Sequence, residues 1–332
     1  MKVLLALVLG IVLAWPTDNV FAAELELYKI ESGPNRVRVA KARWRDDARD
    51  RVVPVKIYAR RGVETALPVI LVSHGVGGSR DALEYLGRHW ASHGYLSVHP
   101  QHPGSDIKIW QDKPEAVAWR ALKDAVSSRE AAFNRPLDVR FAIDHLLAAQ
   151  LKLSSETVTI DPTRIAVAGH SYGAFTALAS AGIAFNPFGA AKANFGDDRL
   201  VASIAMSAGA FRAQRVESFD TVTIPTLHMT GTEDHGVVAD TRVEERRNAY
   251  DRIRNAPKYL VILEGGDHAI FGGRRRGAAE RTDKRHLAII TATTTAFFDS
   301  FVNGDAIATE WLANKLPNIG DGVALSEQAT PN

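Results

Sequence analysis

Two kinds of hydrophobic pattern succeed each other along this chain of 332 residues. Near the front, VRVAKARW at residues 37–44 and VVPVKIYAR at residues 52–60 alternate apolar and polar side chains, the period of a strand with one wet face. They predict antiparallel strands. From residue 68 the apolar runs become continuous: PVILVSHG, YLSVHP, RIAVAGH, LVASIAMS, PTLHMTG and KYLVILEGG. Strands covered on both faces have this pattern. Helical stretches separate the runs, at residues 82–93, 114–149, 172 onward, 238–253 and 284–302. The alternation predicts an α/β fold with a mostly parallel central sheet flanked by helices and antiparallel strands at its N-terminal edge. No linker or repeat divides residues 23–332, which are expected to form one domain, and PNIGDGVALSEQATPN at residues 317–332 is expected to be a loose tail.

The first residues set the expected location. Lys2 precedes an unbroken apolar stretch at residues 3–15, and small residues follow near Val20, Phe21 and Ala22, the order of a secretory signal peptide. The stretch is shorter than the roughly 20 residues of a bilayer span, so cleavage near Ala22 and export to the periplasm or medium are expected, without stable membrane insertion. The 40 Lys and Arg against 38 Asp and Glu leave a charge of +2, too small an imbalance to argue for a nucleic-acid partner. The chain has no cysteine, which removes disulfides, thiol nucleophiles and thiolate metal sites together.

Candidate chemistry begins at Gly169-His170-Ser171-Tyr172-Gly173, a G-x-S-x-G sequence between a buried strand and a helix. In that context it is a nucleophile elbow: a strained turn projects the serine, and Gly169 and Gly173 let strand and helix approach. A serine that merely caps the helix would leave both glycines without a shared reason. A nucleophilic serine needs a base oriented by an acid, and Asp234 and His268 follow in that chain order, each just past the end of an apolar run. Glu233 is the reserve acid, and Asp267 is expected to form a turn. The oxyanion donors expected are the N–H groups of Tyr172 and of Val76, the latter in the Ser73-His74-Gly75-Val76-Gly77-Gly78 loop. A phosphate cradle is disfavoured there because the Lys-Ser/Thr of a P-loop is missing.

Other features carry less. His89 and His93 stand four apart on a predicted helix, but without a third ligand they are expected to be solvated, and no metal is expected. Arg274, Arg275 and Arg276 form a basic run near His268, expected to be exposed. The segment GIAFNPFGAAKANFGDDR places Phe185, Phe188 and Phe195 after the elbow helix, either over an acyl pocket or as simple anchors.

LPVILVSHGVGGSRDALEYLGRHWASHGYLSVHPQHPGSD, RPLDVRFAIDHL and DPTRIAVAGHSYGAFTAL together resemble the α/β-hydrolase superfamily of serine esterases. The resemblance is to dienelactone hydrolase-like and platelet-activating-factor acetylhydrolase-like proteins, and more distantly to bacterial polyester hydrolases; it covers about residues 52–301. It implies an α/β-hydrolase fold and cofactor-free ester hydrolysis. There are departures. Dienelactone hydrolases use a cysteine where this chain has Ser171. Plasma-type platelet-activating-factor acetylhydrolases place their acid after the preceding strand, which here ends Ala205-Met206-Ser207-Ala208 without a carboxylate. Polyester hydrolases usually carry disulfides.

The expectation is therefore an exported serine carboxylic ester hydrolase, with Ser171 as nucleophile, His268 as base and Asp234 as its orienting acid. Its substrate would be a small-molecule or polymeric ester, with short acyl chains favoured because no segment offers the long apolar face of a lipase lid. A serine peptidase on the same fold, a polyester- or phospholipid-cleaving hydrolase and a non-catalytic binding protein remain open at this point, as does the oligomeric state.

Overall fold

A computed structural model describes residues 27–62, 65–148, 151–153, 156–185, 193–211, 216–236, 238–273 and 280–331. The expected signal segment, Phe188 and the run Arg274, Arg275 and Arg276 lie outside the described residues. In chain order the strands are β1 (Val37–Asp46), β2 (Arg51–Arg60), β3 (Leu67–Ser73), β4 (Leu96–Pro100), β5 (Leu151–Leu153), β6 (Glu156–Val158), β7 (Ile160–His170), β8 (Leu200–Met206), β9 (Thr226–Glu233), β10 (Lys258–Asp267) and β11 (Val323–Ala329). The helices are α1 (Glu84–Ser92), α2 (Glu115–Ser127), α3 (Arg129–Ala148), α4 (Tyr172–Ser180), α5 (Asn248–Arg252), α6 (Glu280–Phe301) and α7 (Ala306–Asn314). Nine strands make one sheet in the order β1-β2-β4-β3-β7-β8-β9-β10-β11, while β5 and β6 form a separate hairpin. The run from β4 to β10 is parallel; β1, β2 and β11 are antiparallel to their neighbours. This is the α/β-hydrolase architecture.

The two hydrophobic patterns correspond to two environments with one correction: β2, expected to keep a solvated face, is buried on both faces over residues 53–59, because it lies between β1 and β4. In β1 the side chains of Val39, Lys41, Arg43 and Arg45 are exposed, while Trp44 on the other face is buried. In β3 and in the second half of β7 both faces are buried, and successive residues enter different cores. Ile70, Val72, Ala166 and Ala168 face a core closed by Leu86 and Trp90 of α1 and Ile289, Phe297 and Phe298 of α6. Val69, Leu71, Ile165 and Val167 face a second core closed by Val139, Ile143 and Leu146 of α3. That is why no polar side chain interrupts the runs at residues 69–72 and 165–168.

Three further sequence expectations are corrected, and the helical sequence expected at residues 114–149 divides into two helices. Residues 317–332 are not a loose tail: β11 lies antiparallel on β10, from Lys258↔Ala329 to Leu263↔Val323. The outer backbone groups of β10 need partners, and Arg247 also binds Glu327 at 3.0 Å. Residues 114–149 form two helices, because Ser128 takes an extended conformation and its Oγ accepts from the Ala131 N–H at 3.2 Å. Residues 238–253 contain a 3₁₀ turn (Val243–Arg247) and the short α5 in place of one helix. His89 is buried rather than solvated; burial, with His93 beside it, lowers its pKa to about 4. The two rings lie 4.6 Å apart, and no group of three potential ligands occurs among the described residues.

Candidate active site

Because β3, β7, β8, β9 and β10 run parallel, their C-terminal ends share one edge of the sheet, where open α/β folds place ligands. Ser171 follows β7 with φ 59° and ψ −119°, a backbone region unfavourable for a side-chain-bearing residue. The turn is held by Ser171 N–H donating to Met206 O at 2.9 Å and Ala174 N–H donating to Ser171 O at 2.9 Å. Both elbow glycines have steric reasons. A Cβ on Gly169 would lie 2.0 Å from Gly173 O, and one on Gly173 would lie 1.9 Å from Ser73 O. No larger residue fits either place without moving β7, α4 or the end of β3.

His268 follows β10 with its Nε2 3.0 Å from Ser171 Oγ and its Nδ1 2.8 Å from Asp234 Oδ1. Asp234 follows β9 and is inaccessible to solvent. The structure thus brings Ser171, His268 and Asp234 into one hydrogen-bonded line. Glu233 stays exposed at the end of β9. Asp267 Oδ1 accepts the N–H groups of Ala269 and Ile270, both at 3.0 Å, so it shapes the turn that carries His268.

Asp234 is held from four sides. Besides His268, Arg246 Nη2 lies 3.1 Å from Oδ1, while Ser207 Oγ at 2.5 Å and Thr230 Oγ1 at 2.8 Å donate to Oδ2. Burial alone would raise its pKa, but the His268 hydrogen bond, the Arg246 and His268 charges and the Ser207 bond outweigh it, lowering the value to about 2. Arg246 is itself buried and donates to three carbonyls: Asp234 O, Ser207 O and Ala208 O. Ser207, at φ 57°, also lies 2.7 Å from His268 Nδ1.

The loop after β3 passes beside the serine: a Cβ on Gly75 would sit 3.3 Å from Ser171 Cβ. Gly75 O accepts from His74 Nδ1 at 2.6 Å and from Gly78 N–H at 3.1 Å, which fixes the peptide whose N–H belongs to Val76. His74 Nε2 accepts the His102 N–H at 3.0 Å, and burial together with the Arg135 charge keeps its pKa well below the usual imidazole value. A neutral ring with its proton on Nδ1 satisfies both bonds. Trp110 Nε1 donates to Gly77 O at 2.7 Å on the loop's outer side. Among the described residues the Val76 N–H has no acceptor. Tyr172 opens α4, so its N–H has none within the helix.

Sequence reasoning missed Ser207, Thr230, Arg246 and the role of His170. Burial and the His268 charge lower the His170 pKa to about 3; its Nε2 lies 3.0 Å from His268 O and donates to it, fixing the backbone of that loop. One signal was present: His170 lies inside the elbow motif. The others are common residue types in no diagnostic spacing. Beside α4, Phe175 packs against Phe185 and Phe211 with ring centroids 4.9 and 6.2 Å apart, and Phe185, fully buried, also meets Phe133 and Phe195. Of the aromatic residues expected after α4, Phe185 and Phe195 are thus packed against the body of the protein.

The family model of the dienelactone hydrolase family matches residues 55–300, a span that contains every residue of this site. No curated protein matches the chain.

Proposed function

The chain belongs to the dienelactone hydrolase family, and from that premise we propose that it is a serine hydrolase of carboxylic esters. The observation that carries the reading is the Ser171-His268-Asp234 line, with the serine in a strained turn at the edge of the sheet. In the mechanism proposed, His268 Nε2 takes the Ser171 hydroxyl proton as Oγ bonds to the ester carbonyl carbon. The carbonyl π pair moves onto oxygen, and the N–H groups of Val76 and Tyr172 receive that charge. The C–O bond then breaks, the alkoxide takes the proton from His268, and alcohol leaves. Water attacks the acyl-serine with His268 again as base; collapse releases the acid and returns the proton to Ser171. Asp234 keeps the imidazole in the Nδ1–H form and stabilises the imidazolium.

Short acyl groups are the substrates this reading favours: among the described residues the exposed large hydrophobics are few and belong to several different elements, which offers no single broad apolar face for a lipid surface. The test is a panel of nitrophenyl esters from acetate to palmitate with peptide nitroanilides, alongside fluorophosphonate labelling of wild type and Ser171→Ala. Higher kcat/KM on acetate or butyrate, with labelling lost in the variant, is expected. Turnover of the anilides alone, or labelling that survives the substitution, defeats the proposal.

A further inference from the structure

We propose that Arg135 is a positioning residue for the oxyanion site: it ties together the two chain segments that carry the N–H donors and sets a buried positive charge behind them. The inference rests on the esterase reading above. Arg135 lies inside α3 with no accessible surface. Its Nε donates to Thr176 Oγ1 at 2.8 Å, Nη1 to Ser105 Oγ at 2.8 Å, and Nη2 to Ser73 Oγ at 3.1 Å and to His74 O. Its guanidinium carbon stands 4.6 Å from the centre of the Tyr172 ring.

None of those four acceptors is charged. A buried cation ordinarily takes a carboxylate, because removing the charge from water is costly. The nearby carboxylates are committed elsewhere. Asp138 accepts from Arg51 Nε at 2.8 Å, Arg51 Nη2 at 3.0 Å and His102 Nδ1 at 3.0 Å, with Arg49 Nη1 at 2.9 Å, and Asp106 accepts from Gln101 Nε2 at 2.6 Å. Burial lowers the Arg135 pKa to about 10, which leaves it charged at neutral pH. The fold therefore retains a costly charge with no anion bound to it directly, the kind of local violation expected where function requires it.

Its partners explain the requirement. Ser73 and His74 lead into the Gly75-Val76 peptide, and Thr176 and Tyr172 form the first turns of α4, whose opening N–H is the other donor. One planar fork spans both segments. A relative drift of about 1 Å between them would take a donor out of reach of the oxyanion, a loss on the order of 100-fold. The buried charge adds attraction for the same oxyanion. A lysine supplies the charge without the fork.

The experiment compares Arg135→Met, Arg135→Lys, and the pair Ser105→Ala with Thr176→Val, which leaves the arginine in place and removes two of its acceptors. For each, kcat and KM on nitrophenyl butyrate are measured with the affinity for an alkyl trifluoromethyl ketone, which binds as a tetrahedral adduct. We expect kcat to fall about 100-fold in Arg135→Met with KM within twofold, and ketone affinity to fall in parallel. Arg135→Lys should recover roughly tenfold of that loss, and the acceptor pair should lose roughly tenfold. A folded Arg135→Met with kcat within threefold of wild type, or a lysine no better than methionine, overturns the inference. If Arg135→Met does not fold, unchanged kcat in the acceptor pair overturns it. Wild type that neither cleaves esters nor labels at Ser171 defeats the esterase reading instead, a distinguishable result.

Discussion

Replacing Asp234 by asparagine removes one charge from the site and almost none of its shape. Oδ1 faces two N–H donors, His268 Nδ1 at 2.8 Å and Arg246 Nη2 at 3.1 Å, while Oδ2 faces two hydroxyls, at 2.5 and 2.8 Å. Hydroxyls rotate and can accept as well as donate. The amide is therefore expected to seat its oxygen toward His268 and its NH₂ toward Ser207 and Thr230, preserving the Nδ1–H form of the imidazole. What disappears is the attraction between carboxylate and imidazolium in the transition state. Opposite unit charges about 4 Å apart interact by about 4 kcal/mol at an effective dielectric near 20, and the amide dipole retains part of this. The expected loss in kcat for Asp234→Asn is then on the order of several hundred-fold, with KM little changed. Steady-state kinetics on nitrophenyl butyrate, with Glu233→Gln as the control, measures it. Retention of more than a tenth of wild-type kcat, or a larger loss in Glu233→Gln, would refute the assignment of the acid. A loss beyond about 10⁴-fold would show that the amide seats the other way and the tautomer is lost.

The same carboxylate has a pH signature in stability. Its pKa is about 2 in the folded chain against an ordinary aspartate value of 3.8, so on acidification the unfolded chain binds the proton first. Asp234 thus contributes about 2 kcal/mol that is fully present above pH 4 and lost as pH falls toward 2. The urea-unfolding difference between wild type and Asp234→Asn should be constant from pH 7 to about 5 and shrink below 4; a difference that holds its size to about pH 2.5 contradicts the account. Ser207→Ala and Ser207→Gly both delete the hydroxyl, but only glycine relaxes the backbone at φ 57°. Both should lose roughly tenfold in kcat, with the glycine variant about 1 kcal/mol the more stable; full activity in Ser207→Gly would remove the hydroxyl from the site's support. Ser171→Ala and His268→Ala should each abolish nearly all turnover, and their combination should be little worse than either, so multiplicative losses would count against joint action.

The line Ser171, Asp234 and His268 was legible because each residue occupies a short polar break at the end of an apolar run. A parallel sheet brings such ends together whatever their separation in sequence. The glycines of the elbow were legible for the same local reason: only backbone fits against backbone at Gly169 and Gly173. Ser207, Thr230 and Arg246 were not. Arg246 sits in the run RVEERR, which has the composition of a solvated helix face, and only the third dimension turns its guanidinium inward to Asp234. Arg135 and Asp138 likewise interrupt the apolar pattern of α3, because each is buried in polar company. The strand β11 was hidden by its own composition: VALSEQA shows little hydrophobicity, and its place is fixed by the open edge of β10.

Beneath the proposed site the chain carries a second Ser-His-Asp line with the same connectivity. Ser73 Oγ lies 3.0 Å from His102 Nε2, and His102 Nδ1 lies 3.0 Å from Asp138 Oδ2. Geometry within the line therefore cannot be what makes a nucleophile. Ser73, His102 and Asp138 have no accessible surface, so no carbonyl reaches the serine. Burial, reinforced by the Arg135 charge, lowers the His102 pKa to about 4, which makes it a poor base. Ser73 Oγ also accepts from the Arg135 cation through Nη2, which draws electron density from the oxygen and weakens it as a nucleophile. Ser73 closes a regular strand, whereas Ser171 is thrust out of its strand by a backbone at φ 59°. The strained turn carries Ser171 out of its strand, and its partner His268 keeps a quarter of its side chain accessible, whereas His102 is closed off entirely. The buried line is tied to the loop after β3 by the His102 N–H, which donates to His74 Nε2 at 3.0 Å.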